Sequence, residues 1–372
     1  MTGTAQSAAR SASVRDGARA PSPLDDLRLS FEAAARFHGG PSEFSIELAG
    51  KPVRLRFAGS DLAQSMTRAF NHLETELAPE VDLTISVWES AASGAPRPSL
   101  APDPGHDEPR PDPTNPGPSY FHATADFQAL FQPTPDLLSV LSRPDGGSAW
   151  FWIGDSTRLP HWDAATPFRH LLSWWLGAGG IQQVHAGAVG TPTGGVLLVG
   201  KGGSGKSTTC LSVLGHDHLR YAGDDYVAVS VEGEPWVHSL YSSGKIEPDN
   251  VVRLPHLRSI IANADRLDRE KAVVFADDLV RGTAVAGFPL RAILIPRIVN
   301  RARTRAVPTS AASAVTALAP STMLQLHPPQ AEALERIRRI AAVVPAFVLE
   351  LGPDTAGVPE VIRQLLEDLG SP

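Results

Sequence analysis

The residues best suited to chemistry form a short glycine-rich stretch that fits the pattern Gly-x-x-x-x-Gly-Lys-Ser/Thr of a phosphate-binding loop. The stretch consists of Gly200, Lys201, Gly202, Gly203, Ser204, Gly205, Lys206 and Ser207. Glycines let the backbone adopt positive φ and come close to an anion, so that N–H groups surround a phosphate at the start of a helix. We expect Lys206 to reach the β- and γ-phosphates and Ser207 to ligate a bridging Mg²⁺. Together with Thr208, the stretch predicts a site for ATP and Mg²⁺, although these residues do not distinguish ATP from GTP.

Two adjacent carboxylates, Asp224 and Asp225, follow the loop lysine at a short distance (224 − 206 = 18). One short helix and one return strand fill that interval, which places the carboxylates at the C-terminal edge of the sheet beside the loop. Such a pair suits Mg²⁺ coordination and a base for an attacking hydroxyl. The alternative is one magnesium aspartate next to an ordinary turn aspartate, and it also leaves Asp224 or Asp225 at the metal.

A histidine, His185, precedes the loop by a similar interval (200 − 185 = 15). It lies in the apolar stretch 184–190, which is predicted to be one strand that forms a hairpin with the strand entering the loop. That hairpin brings His185 near the phosphates, where an imidazole can take part in proton transfer. The alternative is a structural histidine.

Two further cations have an open assignment. Lys245 is one of only five lysines in the chain and lies in 240–247, which is predicted to be a polar loop. We expect it either to contact phosphate or substrate or to be an exposed surface lysine. Arg297 follows the predicted strand 292–296 and is expected at the nucleotide edge.

The elements that must position these residues alternate along the second half of the chain. An apolar run at 195–199 predicts a buried strand before the loop, and 208–214 predicts a helix that Gly215 ends. Further strands are predicted at 219–223, 227–231, 292–296 and 347–351, and further helices at 330–343 and 358–369. This alternation is typical of an α/β fold. Residues 176–372 are therefore predicted to form a P-loop nucleotide-binding core.

The first half of the chain is predicted to form a smaller α+β domain over 24–175, after a disordered tail at 1–23. Its predicted elements are strands at 43–48, 53–57 and 83–88 and helices at 62–73 and 168–176. Trp174 and Trp175 are interpreted as core rather than as ligand-stacking residues. The interval 93–119 contains nine prolines and is predicted to be a disordered insertion or surface loop.

Composition excludes several classes of function. The net charge of −7 and a pI near 5.9 argue against a general nucleic-acid or anionic-membrane surface. The single cysteine, Cys210, excludes an intramolecular disulfide and a cysteine-cluster metal site, and it is predicted to be a small buried residue. No apolar run approaches the ~20 residues that span a bilayer, and the first residues do not form a secretory signal. We therefore expect a cytoplasmic protein.

The order of these features resembles the catalytic core of the HPr kinase/phosphorylase family, which is similar in fold to phosphoenolpyruvate carboxykinases. The resemblance rests on Val184-His185, the loop 200–207 and the strand that ends in Asp224-Asp225. It implies that the loop binds ATP with Lys206 and that Ser207 helps to hold Mg²⁺. It also implies that the aspartate pair supplies a metal ligand and a base that deprotonates a serine of a protein substrate, assisted by His185. The family is typically hexameric, which implies a homo-oligomer.

The sequence also departs from that family. Thr208 stands where the family usually has Glu, the family's Glu-Arg signature is absent downstream, and the first ~175 residues differ from its N-terminal domain. The chain looks more like divergent HPr-kinase-like proteins, some of which phosphorylate a serine of a ribosomal peptide precursor. The leading hypothesis is an ATP-dependent serine kinase acting on a protein or peptide. The alternatives are a regulatory or scaffold ATPase without phosphotransfer and a small-molecule kinase or carboxykinase-like enzyme.

Overall fold

The computed structural model describes residues 22–101, 110–112, 115–325 and 332–370. These residues form a mixed α/β structure with two large sheets and one separate strand pair, in agreement with the predicted α/β class. The predicted tail lies outside the described residues up to position 21. The last residues of the predicted tail belong to the first helix instead. Ser22 is the N-cap of that helix, and its hydroxyl accepts from the N–H of Asp25 at 3.2 Å.

The first sheet has the strand order β1-β2-β3-β8-β7-β6-β5-β4. Its strands are β1 (Ser42–Leu48), β2 (Lys51–Phe57), β3 (Leu83–Glu89), β4 (Arg110–Asp112), β5 (Asn115–Ala123), β6 (Phe127–Gln132), β7 (Leu137–Ser142) and β8 (Ser148–Ile153). The register pairs Ser42 with Phe57, so the predicted hairpin of β1 and β2 is confirmed. Side chains alternate between two cores: Leu137 and Leu141 pack on one face of β7, and Leu138 and Val140 on the other.

The second sheet has the order β12-β10-β11-β17-β14-β13-β9. In addition, β19 pairs with the C-terminal half of β17, and β18 pairs with the other edge of β19. Its strands are β9 (Gln182–Val184), β10 (Gly187–Thr191), β11 (Gly194–Leu198), β12 (Arg220–Gly223), β13 (Val227–Ser230), β14 (Trp236–Ser239), β17 (Gly287–Ile298), β18 (Arg305–Thr309) and β19 (Ala346–Leu351). The separate pair consists of β15 (Ser243–Ile246) and β16 (Ala272–Phe275). β11 and β19 run parallel to β17, so their carboxyl ends meet at one edge.

Helices cover both faces of the second sheet. The α-helices of the described residues are α1 (Pro23–Phe37), α2 (Ser60–Thr67), α3 (Ser90–Ser93), α4 (His161–Ala165), α5 (Arg169–Ala178), α6 (Lys206–Ser212), α7 (Ala276–Leu279), α8 (Ala311–Gln325), α9 (Ala333–Val343) and α10 (Val358–Gly370). Short 3₁₀ helices span Arg68–Leu73, Ser156–Arg158, Pro248–Arg253, Pro255–Ile260 and Ala264–Arg266. Val196 and Leu198 of β11 pack on the face that α6 and α10 cover, and Leu197 packs on the face of α8 and α9. The site is thus held on a sheet buried from both sides.

The two sheets share one apolar core. The rings of Phe70 and Phe168 stack with centroids 6.0 Å apart, and Phe70 also contacts Tyr241 at 5.5 Å. Trp174 and Trp175 of α5 are buried in the same cluster, so their interpretation as core residues is confirmed. Because this cluster contains residues from both halves of the chain, the division into domains at 175/176 stays a prediction.

Three element predictions are corrected by the structure. The stretch 184–190 is two strands, because the chain leaves β13 after β9 and joins β11 and β12 as β10, with His185 at the break. The predicted polar loop 240–247 contains the buried strand β15, which pairs with β16. The predicted helix 62–73 is α2 followed by a 3₁₀ turn.

The proline-rich interval 93–119 is also partly regular. β4 and β5 pair within it, with Arg110 opposite Ser119. The assignment of the interval as a disordered insertion or surface loop stays a prediction. Residues 102–109 and 113–114 of the interval lie outside the described residues. No helix in the described part of the chain is both long and apolar enough to pass through a membrane.

Candidate functional site

The predicted site residues converge on one edge of the second sheet. β10 lies between β11 and β12 and is antiparallel to both, with Gly187 opposite Leu198 and Ala188 opposite Gly223. The start of β10 and the ends of β11 and β12 therefore meet at the same edge. His185, the phosphate loop and the aspartate pair adjoin these three strand ends in that order.

The phosphate loop has the backbone that its glycines predict. Gly203 and Gly205 have φ of 76° and 104°, which residues with a Cβ rarely adopt. A Cβ on Gly205 would lie 2.5 Å from the Cδ1 atom of Leu351, so this glycine also permits close packing against β19. α6 starts at Lys206 and ends at Ser212, earlier than the predicted end at Gly215. Anion binding here would therefore depend on the loop N–H groups and the lysine more than on a long helix.

Lys206 is folded back onto the loop. Its Nζ donates to the carbonyl oxygens of Gly200 at 2.6 Å and of Lys201 at 3.3 Å. Burial lowers the pKa of this amine, and the nearby charges of the aspartate pair oppose the shift. Ser204 Oγ is buried without a hydrogen-bond partner among the described residues. The loop thus holds one cation bound to its own backbone and one hydroxyl that a ligand would satisfy.

Asp224 is the buried member of the carboxylate pair, with 1% of the residue exposed. Its Oδ2 accepts the backbone N–H of Lys245 at 3.1 Å, while Oδ1 finds no hydrogen-bond partner within the described part of the chain. Burial, together with the charge of Asp225, raises the pKa of Asp224, and the Ser207 hydroxyl opposes this shift. Gly187 allows the arrangement, because a Cβ there would lie 3.1 Å from the Asp224 carbonyl oxygen and only 2.1 Å from the buried Cys210 sulfur.

Asp225 is the partly exposed member of the pair, with 26% of its side chain accessible. Its Oδ2 lies 3.0 Å from Lys245 Nζ, and its Oδ1 lies 3.9 Å from His185 Nε2. Partial burial works against ionisation, but nearby positive charges, the Lys245 ammonium foremost, outweigh it and lower the pKa of Asp225. Neighbouring carboxylates in one site thus have opposite pKa shifts, which is the usual sign of different roles.

His185 is held by residues of α8. Its backbone N–H donates to Thr322 Oγ1 at 3.1 Å, and its Nδ1 lies 3.3 Å from Gln325 Nε2. Its ring also contacts the Tyr226 ring, with centroids 5.7 Å apart. Burial lowers the pKa of His185 to about 4, although the charge of Asp225 partly offsets this effect. The imidazole is therefore neutral near pH 7.

Some of these positions were not predictable from the local sequence. The Lys245 side chain is only 11% exposed, so its alternative as a surface lysine is wrong. Gln325 lies 140 residues from His185 and carries no motif that marks it. Arg297 is exposed at the end of β17, where its charge acts on Glu350, and no contact joins it to the aspartate pair in the described residues.

The donor atoms at this edge fit Mg²⁺ better than a softer metal. The described residues contain no cluster of three or more His, Cys, Asp or Glu that would form a protein-only metal centre. Mg²⁺ is usually held by one or two carboxylates, with substrate phosphates and water completing its coordination. Ser207, Asp224 with its unpartnered Oδ1, and Asp225 supply that donor set.

Comparison with known proteins finds distant likeness among solved structures. No family model matches the chain, and no curated protein matches it. The HPr(Ser) kinase/phosphatase from Coxiella burnetii aligns with 51% of this chain and 99% of its own, with 12% identity and a TM-score of 0.29. A likeness at this level says nothing about the activity of this chain.

Proposed function

We propose that this protein is an ATP-dependent kinase that transfers the γ-phosphate to a serine hydroxyl of a protein or peptide. One observation carries the proposal: the glycine-rich loop shares one sheet edge with two adjacent carboxylates, of which Asp224 is buried and Asp225 pairs with Lys245. A site that only binds nucleotide needs the loop and a metal ligand. It has no use for a second carboxylate held ionised by a buried lysine.

The loop residues would bind and orient the nucleotide. Lys206 would leave the carbonyl oxygens of Gly200 and Lys201 and turn toward the β- and γ-phosphates. Ser204 Oγ, which is unpartnered among the described residues, lies in the loop where it can donate to a phosphate oxygen. The energy of these charge-assisted bonds offsets the loss of the lysine's bonds to the loop.

Ser207 and Asp224 would hold Mg²⁺, with Asp225 beside them. The buried Oδ1 atom of Asp224 has no hydrogen-bond partner among the described residues. A cation bound there would compensate the free-energy cost of burying the ionised carboxylate. When bound, Mg²⁺ would supply positive charge that stabilises the negative charge developing during phosphoryl transfer.

Asp225 would act as the base. Lys245 keeps this carboxylate ionised near pH 7, and its partial exposure leaves it accessible to an incoming hydroxyl. The serine oxygen attacks the γ-phosphorus as its proton passes to Asp225. The bond between that phosphorus and the β,γ-bridging oxygen breaks, and ADP leaves with the electron pair.

The partial exposure of the Asp225 side chain favours a macromolecular acceptor over a small metabolite. Small ligands are usually enclosed in a pocket. An edge that leaves Asp225 a quarter exposed suits a serine presented on a chain.

The test is an incubation of the full chain with γ-labelled ATP, Mg²⁺ and serine-containing peptides or lysate, followed by intact-mass analysis. We expect a phosphoserine product that disappears with Asp225→Asn and persists with Asp268→Asn, whose side chain is 76% exposed. Release of free phosphate without a phosphorylated product would instead indicate a regulatory ATPase. A phosphorylated metabolite would indicate a small-molecule kinase.

A further inference from the structure

Gln325, the last residue of α8, joins two residues that flank the carboxylate pair. Its side-chain amide lies between Tyr226, which follows Asp225 in sequence, and His185. The Tyr226 hydroxyl donates to Gln325 Oε1 at 2.6 Å, and Gln325 Nε2 lies 3.3 Å from His185 Nδ1. A single amide therefore contacts both residues through its two different ends.

The chemistry of an amide fixes the direction of these bonds. A glutamine oxygen only accepts and its NH₂ group only donates. Because the oxygen accepts from Tyr226, the NH₂ end faces the imidazole, and Nδ1 must act as the acceptor. A neutral imidazole whose Nδ1 accepts carries its proton on Nε2. That nitrogen is the one that faces Asp225, at 3.9 Å.

We propose that Gln325, oriented by Tyr226, is a positioning residue that fixes His185 as the Nε2–H tautomer and so makes it a hydrogen donor toward Asp225. The backbone supports the same arrangement, because the N–H of His185 donates to the buried Thr322, one turn earlier in α8. α8 thus holds His185 at both its main chain and its ring.

The proposal separates the roles of two residues. Nε2 carries a proton and Nδ1 is occupied by Gln325, so His185 has no free lone pair with which to remove a proton from an acceptor hydroxyl. That task falls to Asp225, whose Oδ1 faces the Nε2–H group of His185 at 3.9 Å, beyond direct hydrogen-bond distance. This catalytic consequence rests on the proposed kinase function, whereas the tautomer itself does not.

The tautomer is measured on the full chain without ligands, by NMR of the imidazole nitrogens in protein labelled with ¹⁵N-histidine at pH 7.5. The signal of His185 among the 12 histidines is identified by its loss in His185→Asn. We expect a protonated Nε2 and an unprotonated Nδ1. In Gln325→Glu, a carboxylate that can only accept replaces the amide, so Nδ1 should gain a proton. The matched control Gln364→Glu, on the exposed face of α10, should leave the His185 signal unchanged.

Phosphotransfer gives the second measurement. We expect Gln325→Leu to lower kcat by about tenfold with the KM for ATP unchanged, and Tyr226→Phe, which keeps the ring, to have a smaller effect. A protonated Nδ1 in the unmodified protein, or no response to Gln325→Glu, would overturn the proposal even if the kinase reaction is observed. If no transfer is found at all, the kinase function fails while the tautomer is still decided by NMR.

Discussion

The two sides of the site are built in different ways. The loop side is contiguous, because the phosphate loop spans 200–207 and its lysine bonds to carbonyl oxygens five and six residues away. The carboxylate side is assembled from distant segments: Lys245 contacts Asp224 from 21 residues away in sequence, and Gln325 contacts His185 from 140 residues away. The first side depends on backbone geometry, and the second on tertiary contacts between side chains.

This difference also appears in the charges. On the loop side, Lys206 has no carboxylate within ion-pair distance among the described contacts and is held by backbone oxygens. On the carboxylate side, Asp225 already has a lysine at 3.0 Å and a histidine at 3.9 Å. We infer that nucleotide binding would depend mainly on Lys206, whereas phosphotransfer would depend on several side chains around Asp225.

Removing the loop lysine should have the largest effect. Lys206→Ala deletes the cation that would contact the phosphates, so ATP affinity should fall by about 100-fold or more, and transfer should be lost with it. Isothermal titration with ATP and Mg²⁺ measures the affinity. Lys51→Ala, a lysine on β2 of the first sheet, is the matched control and should bind normally. Normal binding by Lys206→Ala would remove the basis for a nucleotide site here.

The base should affect chemistry without affecting binding. Asp225→Asn keeps the shape but removes the acceptor of the proton, so the rate of transfer should fall by about 10²–10⁴-fold while ATP affinity is retained. Single-turnover measurements with saturating ATP isolate this step. Full transfer by this variant would exclude Asp225 as the base, and equal losses in Asp268→Asn would indicate a nonspecific effect.

Lys245 should affect the pH dependence of transfer. Its ammonium lowers the pKa of Asp225, so Lys245→Met should raise that pKa. Asp225 would then be protonated at a higher pH, and the acidic limb of the pH–rate profile should move to higher pH. We expect a loss of about tenfold below neutral pH that shrinks as pH rises. An unchanged profile, with Lys51→Met as the control, would show that Lys245 does not set this ionisation.

The smallest expected effect concerns stability. Asp224 has a folded-state pKa of about 7, above the unfolded value of about 3.9. The folded state therefore binds the extra proton between these values, and stability falls as pH rises through this window. Asp224→Asn cannot ionise, so without Mg²⁺ it should be more stable than the unmodified protein at pH 8.

The same comparison at pH 4 provides the internal control for Asp224→Asn. There the carboxyl of the unmodified protein is protonated in the folded state, so the advantage of the variant should largely disappear. Urea unfolding in the presence of a chelator measures both free energies. A variant that is less stable at pH 8 would show that the buried carboxylate is compensated without a metal.

The loop side could be predicted from the sequence because its causes are local. The apolar strand, the spaced glycines and the Lys-Ser ending of 200–207 specify each other within a few residues. The position of Asp224-Asp225 also followed from local counting, since one helix and one strand return the chain to the same edge. Their chemical roles stay predictions.

The carboxylate side could not be predicted because its causes are contacts between distant elements. Apolar patterning at 184–190 does not reveal that β9 pairs with β13 and β10 with β11, which places His185 at the break. The polar residues of Ser243–Ile246 gave no local indication of a strand. Lys245 can lie buried in this strand because its side chain pairs with Asp225. The glutamine at the end of α8 has no local pattern that indicates its contact with His185.

The aromatic stack of Phe70, Phe168 and Tyr241 has a consequence for how the molecule unfolds. Tyr241 also donates its hydroxyl to the Pro167 carbonyl oxygen, and the N–H of Ser242 donates to that of Ala69. Unfolding of one sheet would remove these stabilising contacts from the other sheet. Despite its two sheets, the chain should therefore lose its structure in a single calorimetric transition, and a fragment that starts at residue 176 should aggregate through its bare aromatic face.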